Sequence, residues 1–167
     1  KVPVPTIYLG MTRVIPTGET DPEFLQTSKV SMEPEDLRIY QEFSEAVIHP
    51  GVVQQDGTVI AQSISGTKKN SLYPNYSGYD ATTVSLGQDS LSAIATALAS
   101  FSKLRREMGS EYRGGLLVID ELDAGFHPRA QTELVDQLKS KARELQIQVV
   151  ATTHSLTMLQ YAHKDIF

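Results

Sequence analysis

Apolar residues recur at helical spacing through much of the second half of the chain. A step of three or four residues predicts a long helix that ends at Gly109. Its apolar positions are Leu91, Ile94, Leu98, Phe101, Leu104 and Met108. A further helix is predicted from about Pro128, and another begins at Leu156. The inward positions of the helix after Pro128 are Ala130, Leu134, Leu138, Ala142 and Leu145.

Two short apolar runs lie between these helices and predict strands. Leu116 to Ile119 is continuously apolar, which is typical of a strand covered on both faces. Ile147 to Ala151 is predicted to be a second buried strand. Strand, helix, strand in this order implies a right-handed parallel crossover. This half is therefore predicted to be α/β, with a parallel sheet flanked by helices.

The first half, residues 1–78, has a less regular pattern and is predicted to be a connecting or insert region. Thr6 to Gly10 predicts a short strand, followed by a polar loop through Pro22. Pro34 to Val47 has helical spacing. Asp56-Gly57, flanked by valine and isoleucine pairs, predicts a β-hairpin. Residues 65–78 are rich in Gly, Ser, Asn and Lys and predict a loop. Hairpin and loop are interpreted as either a surface insertion or a partner contact.

Composition narrows the class of protein. The 167 residues fit one globular domain, with 40% hydrophobic and 21% charged residues. There is no cysteine, which excludes disulfides and cysteine metal sites. No apolar run reaches the roughly 20 residues of a membrane helix, and no secretory leader opens the chain, so we expect a cytoplasmic protein without membrane contact. With a net charge of −5 the chain is mildly acidic, unlike a typical DNA-binding domain, which is basic. Direct contact with nucleic acid is left open.

Two carboxylates follow the first buried strand and are the main candidates for chemistry. Asp120 and Glu121 are predicted at the carboxyl end of a parallel strand, the edge where open α/β sheets bind ligands. Asp120 is the candidate to hold Mg²⁺, directly or through water, and Glu121 the candidate to activate an attacking water. The alternative is a strand whose first two solvated positions are acidic.

The next strand also ends in polar residues, at the same predicted edge. His154 there is a candidate to contact a terminal phosphate, although a lone histidine is more often an ordinary loop residue. Before the long helix, Ser85 and the free N–H groups of the helix start are a candidate anion site, and Gly87 would permit close approach of a phosphate. The alternative is a plain serine helix cap.

Taken in order, these elements resemble the C-terminal lobe of ATP-binding-cassette (ABC) ATPases, a P-loop NTPase fold. Ser85, Gly87 and Gln88 match the LSGGQ signature, although Val84 and Leu86 depart from it. Asp120 and Glu121 match the Walker B aspartate and catalytic glutamate, and His154 matches the switch histidine. The D-loop corresponds to Ala124, Gly125, Phe126 and His127. Residues 79–167 are then the signature, Walker B and switch-histidine lobe.

Other residues narrow the resemblance. Gly-Phe-His-Pro at 125–128 resembles the OLD and RecF/SMC-like branch. Residues 8–13 and Tyr79-Asp80 resemble the PtuA-type ATPases of Septu and retron antiphage systems. No Gly-x-x-x-x-Gly-Lys-Ser/Thr occurs in the 167 residues. Because the family carries that phosphate loop earlier in the chain, we expect a C-terminal portion that is inactive alone.

The resemblance implies ATP and Mg²⁺ as cofactors and a head-to-head homodimer. Ser85, Gly87 and Gln88 of one head would then contact the γ-phosphate held by the other. For the PtuA-like group it implies an HNH nuclease partner similar to PtuB, and in retrons a reverse transcriptase with its RNA-linked DNA. The alternatives are a RecF- or SMC-like DNA-repair ATPase, a nucleotide-gated scaffold with little hydrolysis, and an OLD-type nuclease with a Toprim domain after residue 167.

Overall fold

The computed structural model describes residues 4–15, 21–48, 58–67, 70–74 and 85–162. Within these ranges the strands are β1 (Thr6–Leu9), β2 (Leu25–Ser31), β3 (Thr58–Ile64), β4 (Asn70–Pro74), β5 (Gly115–Ile119) and β6 (Ile147–Ala151). The helices are α1 (Pro34–Val47), α2 (Leu86–Met108), α3 (Pro128–Leu145) and α4 (Leu156–Ala162). The predicted hairpin turn at Asp56-Gly57 and the Tyr79-Asp80 pair lie outside the described residues.

The first sheet is parallel and has the order β1-β5-β6. Thr6 pairs with Leu116, and Ile119 with Ala151, so the carboxyl ends of all three strands lie at one edge. Leu117 and Ile119 of the central strand are fully buried, as their apolar run predicts. The predicted α/β fold with a parallel sheet and flanking helices is confirmed.

Helix α2 is more completely buried than a single apolar stripe indicates. Ile94, Leu98 and Phe101 are inaccessible, but so are small or polar residues on its other faces, such as Ser90 and Ala95. The reason is that α2 contacts α1, α3, β1 and β4. Serine and alanine are small enough to allow that close packing. The helix ends at Gly109, as predicted, with a positive φ of 51°.

The second sheet is antiparallel, with the order β2-β3-β4, and two of its strands were not predicted. The predicted loop over residues 65–78 is wrong at β4, which pairs with β3 and also contacts α2. The Leu72 N–H donates to Thr96 Oγ1 at 3.2 Å, and the Tyr73 hydroxyl bonds to the buried Asp89. These non-local bonds hold a segment whose composition does not favour a strand.

The helices follow the sequence pattern closely. Helix α1 has the predicted bounds, and Leu134, Leu138 and Leu145 of α3 face the core. The buried Lys141 joins α3 to α1 by bonding Glu42 at 2.6 Å, and it also bonds Glu144 at 2.8 Å. Within the described ranges, none of the helices has the length and apolar content to cross a membrane.

Candidate functional site at the carboxyl edge of the parallel sheet

Asp120 and Glu121 follow β5 and are held by a threonine that follows β6. Thr152 Oγ1 donates a hydrogen bond to Asp120 Oδ1 at 2.7 Å and accepts one from the Glu121 N–H at 2.8 Å. The Asp120 N–H donates to the Leu9 carbonyl at 2.9 Å, which ties it to the end of β1 as well. All three strands of the sheet therefore fix the position of this acidic pair.

Glu121 and His154 lie close together, as the sequence predicts for residues at one sheet edge. Glu121 Oε1 and His154 Nε2 are 3.9 Å apart. Both side chains are open to solvent, with exposed fractions of 40% for Glu121 and 84% for His154. A carboxylate and an imidazole at this separation can act on the same small group, such as a water or a phosphate oxygen.

The backbone of Glu121 has a left-handed conformation, with φ of 50°. Such a conformation strains any residue with a Cβ, and it persists only where surrounding contacts hold it. Here the Glu121 N–H bonds to Thr152, and its carbonyl accepts the Ala124 N–H at 2.9 Å. The strain coincides with the proposed catalytic glutamate.

Asp123 links the end of β5 to the loop that carries His154. Its Oδ1 accepts from Thr153 Oγ1 at 2.6 Å and from the His154 N–H at 3.1 Å. Burial raises the pKa of Asp123, but the hydrogen bonds from Thr153 and His154 stabilise the carboxylate more, and the net pKa is lowered. The charged form of Asp123 thus fixes the backbone of His154.

The predicted D-loop, Ala124 to His127, packs against the start of α2. Gly125 has φ of 84° and lies backbone to backbone against Gly87, so both glycines are needed for this approach. Phe126 is buried in the core. His127 caps α3, with Nδ1 accepting from the Arg129 N–H at 3.4 Å.

A buried glutamine connects the D-loop to the loop after β6. Gln131 Nε2 donates to the Phe126 carbonyl at 2.9 Å, and its Oε1 accepts from Ser155 Oγ at 2.5 Å. Ser155 in turn accepts the Met158 N–H at the start of α4. The His154 loop is therefore bonded to Asp123, which directly precedes the D-loop, and through Gln131 to the Phe126 carbonyl of the D-loop.

Ser85 and Gln88 form a capping box at the start of α2. The Gln88 N–H donates to Ser85 Oγ at 3.3 Å, and the Ser85 N–H donates to Gln88 Oε1 at 2.9 Å. The alternative of a serine helix cap is thus confirmed as the structural role of Ser85. The capping bond uses an acceptor site of the exposed hydroxyl, and its O–H donor is not used by that bond.

Arg13 belongs to this site and was not predicted. It lies in the 3-10 turn Met11–Val14 and is 3% exposed, yet its guanidinium donates to the Glu121 carbonyl at 2.6 Å. Burial lowers the pKa of Arg13, while the nearby Asp120, Glu121 and Asp123 carboxylates raise it by a smaller amount. The only signal for it in the sequence was that it belongs to residues 8–13, which resemble PtuA-type ATPases.

The donor set at this edge fits a magnesium ion that is shared with a phosphate ligand. Among the described residues, no three His, Cys, Asp or Glu side chains group as a complete metal site. Asp120 would supply the carboxylate oxygen, and Mg²⁺ is usually held by one or two carboxylates together with waters and substrate phosphates. An all-protein cage is therefore not required.

Sequence comparison matches residues 22–159 to the family model described as "AAA domain, putative AbiEii toxin, Type IV TA system". Comparison with curated proteins finds no similar sequence.

Structure comparison finds a likeness to SMC head domains. The SMC head domain from Thermotoga maritima is 12% identical over 92% of this chain, with a TM-score of 0.48. The SMC head bound to the C-winged helix domain of ScpA is 17% identical over 75% of this chain, with a TM-score of 0.46. An SMC head with an extended coiled coil, bound to the C-terminal domain of ScpA derived from Pyrococcus furiosus, is 20% identical over 75%, with a TM-score of 0.40. The chain spans 46%, 36% and 29% of these three structures.

Proposed function

The chain belongs to the AAA-domain family of AbiEii-like proteins, and from this premise we propose that it is the catalytic lobe of an ATPase that hydrolyses ATP with Mg²⁺. The observation that carries the proposal is the cluster at the carboxyl edge of the parallel sheet. Glu121 and His154 are 3.9 Å apart there, and Thr152 ties Asp120 to the Glu121 backbone. The edge is the usual ligand site of open α/β sheets.

Each residue has a chemical role in this proposal. Asp120 holds Mg²⁺, directly or through water, and the bound ion would neutralise charge on the phosphates. Glu121 accepts a proton from the attacking water and orients it towards the terminal phosphate. His154 donates a hydrogen bond to a phosphate oxygen. The left-handed Glu121 backbone is held by its bonds to Thr152 and Ala124, which limits the backbone reorganisation that accompanies the reaction.

The test is phosphate release by the complete protein that carries this chain. Glu121→Gln should leave ATP affinity within about twofold and lower kcat by about 100-fold or more, because the amide cannot take a proton. Glu133→Gln, a substitution of the same type on α3, is the control and should change neither quantity. Hydrolysis at the wild-type rate in Glu121→Gln would remove the glutamate from its proposed role.

We further propose that two heads enclose the nucleotides between them. In this arrangement Ser85, Gly87 and Gln88 of one head contact the γ-phosphate bound to the other, and the D-loop crosses the interface. Support comes from the O–H of Ser85, which its capping bond does not use, and from the N–H groups at the start of α2. Ser85→Ala mixed with Glu121→Gln should restore part of the hydrolysis if the sites form between chains. A mixture no more active than its components would contradict shared sites.

The biological role we propose is antiviral defence, in which the ATPase holds and regulates an HNH nuclease similar to PtuB. The resemblance of residues 8–13 and 79–80 to PtuA-type ATPases supports it, within the OLD and RecF/SMC-like branch that residues 125–128 resemble. In the retron form a reverse transcriptase and its RNA-linked DNA would join. An HNH gene beside this one, and a complex of the two products that survives gel filtration, are the expected results. An HNH protein from that locus that elutes separately would contradict the partnership.

The second candidate is a toxin, as the family description names one. Expression of the complete protein alone should then stop growth of the host, whereas a nuclease regulator should be harmless without its partner. Glu121→Gln expressed to the same level shows whether any arrest depends on hydrolysis. Growth that is unaffected by the wild-type protein would contradict the toxin candidate.

A further inference from the structure

Arg13 bonds to three separate parts of the molecule. Its guanidinium donates to the Gly10 carbonyl at 3.1 Å, to the Glu121 carbonyl at 2.6 Å and to Ser90 Oγ at 3.1 Å. Burying an arginine is costly unless its donors are satisfied. Here the direct acceptors are two carbonyls and a hydroxyl, and the nearby Asp120, Glu121 and Asp123 carboxylates only partly offset the effect of burial on the pKa of Arg13. A buried cation with such acceptors costs more than an apolar residue at the same place, which suggests a role beyond stability.

One of these acceptors is the backbone of the proposed catalytic glutamate. The Glu121 carbonyl receives both Arg13 and the Ala124 N–H, while the Glu121 N–H is held by Thr152. These bonds hold the strained left-handed conformation. The bond from Arg13 is charge-assisted and therefore the strongest type among them.

A different nitrogen of the guanidinium, Nε, contacts α2 through Ser90 Oγ. Ser90 is fully buried and lies five positions after Ser85, whose hydroxyl is exposed at the start of the same helix. A helix moves as a rigid element over such a short distance, so a displacement of its first turn also moves Ser90. The planar guanidinium has fixed donor directions, and it transmits the movement better than a flexible ammonium.

We propose that Arg13 is a positioning residue that couples the start of α2 to the backbone of Glu121. This inference rests on the proposed ATPase function, in which the start of α2 contacts one nucleotide and Glu121 acts on the other. Closure of a second head on Ser85 would be transmitted through Ser90 and Arg13 to the Glu121 carbonyl. The glutamate then reaches its working position only when the neighbouring site is occupied.

The test compares four variants of the complete protein: Arg13→Met, Arg13→Lys, Ser90→Ala and the double variant Arg13→Met/Ser90→Ala. Arg13→Met should lower kcat by about 100-fold with KM for ATP within about twofold, because a small misplacement of the glutamate affects the reaction more than binding. Arg13→Lys keeps the charge without the fork and should lose about tenfold. Arg13→Met and Ser90→Ala each break the bond between Arg13 and Ser90. The double variant should therefore be no slower than Arg13→Met.

Arg106→Met is the matched control. Arg106 lies in the last turn of α2, the helix that carries Ser90, and pairs with Asp36 at 2.7 Å. Its loss should change melting temperature without changing kcat. If Arg13→Met lowers kcat only in proportion to its unfolded fraction, or if Arg13→Met and Ser90→Ala multiply in the double variant, the coupling is wrong.

Amide hydrogen exchange separates failure of this inference from failure of the proposed function. Exchange of the Ala124 N–H, which bonds to the Glu121 carbonyl, should be at least about tenfold faster in Arg13→Met, while amides of β5 stay protected. This measurement needs no hydrolysis. Unchanged Ala124 exchange would overturn the inference, whereas a wild-type protein that does not hydrolyse ATP would overturn only the proposed function.

Discussion

Gly87 and Gly125 touch through their backbones, and a Cβ on Gly87 would lie 2.6 Å from the Gly125 carbonyl oxygen. The two glycines belong to the two segments that match the signature and the D-loop. From sequence, Gly87 was expected to leave space for a phosphate. In the structure, packing within the chain requires glycine at this position, because no side chain fits between α2 and the D-loop. Gly87 is buried in this packing, and its proposed contact with a phosphate stays a prediction.

Gly87→Ala should therefore push the D-loop away from α2. The obstructing atom is a backbone oxygen, which cannot rotate aside as a flexible side chain would. We expect a loss of about 1–3 kcal/mol in the free energy of unfolding, measured by urea denaturation. Hydrogen exchange of the D-loop amides should also become faster.

Gly66→Ala is the control for this substitution. Gly66 has φ of 78°, but a Cβ there meets no atom within 4 Å. Its cost should be limited to about 1 kcal/mol of backbone strain, without any effect on D-loop exchange. Equal exchange in the two variants would show that the contact between Gly87 and Gly125 does not hold the D-loop.

Thr152→Val should impair hydrolysis more than stability. The substitution keeps the shape but removes the hydroxyl that bonds Asp120 and the Glu121 N–H. We expect kcat to fall by about tenfold and the free energy of unfolding by about 1 kcal/mol. Thr132→Val removes a hydroxyl that bonds only to the Arg129 carbonyl within α3, and should leave kcat unchanged. Equal kcat values in the two variants would contradict the role of Thr152.

Glu121→Gly should stabilise the protein while it abolishes hydrolysis. Glycine adopts a φ of 50° without the strain that glutamate has, although it also gives the unfolded chain more freedom. The expected net gain is up to about 1 kcal/mol in the free energy of unfolding. Gln146→Gly is the matched control, because Gln146 has φ of 56° at the end of α3, before the amino end of β6 and so at the other end of that strand from the site. It should give a similar gain with normal kcat. A destabilised Glu121→Gly would show that side-chain contacts outweigh the strain.

The regular elements were predictable where local pattern and packing agree. Helix α1 has its predicted bounds because proline at its start and apolar residues at helical spacing both favour it. Strand β5 is a short apolar run that packs in the interior, between β1 and β6. The predicted strand β6 is present, but its predicted burial is wrong, because only Ile147 is buried and Val150 is exposed. Strand β2 is largely exposed and β4 has turn-forming residues, so neither has the pattern of a strand. They form because β3 lies between them and pairs with both.

The site was predictable where it depends on the order of the strands. Parallel strands bring their carboxyl ends to one edge, so the meeting of Asp120, Glu121 and His154 followed from the order of strands alone. Arg13 could not be found in this way. Its acceptors Ser90 and Glu121 are 77 and 108 positions away in sequence, and only the three-dimensional packing brings a surface-type residue into the interior. Gln131 was missed for the same reason, since its helix pattern says nothing of its bonds to two loops.

The stability that Asp123 contributes should disappear in acid. Its pKa is lowered in the folded protein by bonds from Thr153 and the His154 N–H, although burial opposes this. A carboxyl whose folded pKa is below its unfolded value of about 3.9 stabilises the fold fully above that pH, and loses this contribution as pH falls through the folded pKa.

The substitution Asp123→Asn tests this, because it keeps an acceptor oxygen but removes the charge. The difference in free energy of unfolding between wild type and Asp123→Asn should therefore be constant from about pH 5 to 7 and shrink below about pH 4. Urea denaturation at each pH measures it, with Glu111→Gln at an exposed position as the control that should show no such pH dependence. A difference that stays the same down to pH 3 would mean that Asp123 holds the His154 loop by shape alone and not by its charge.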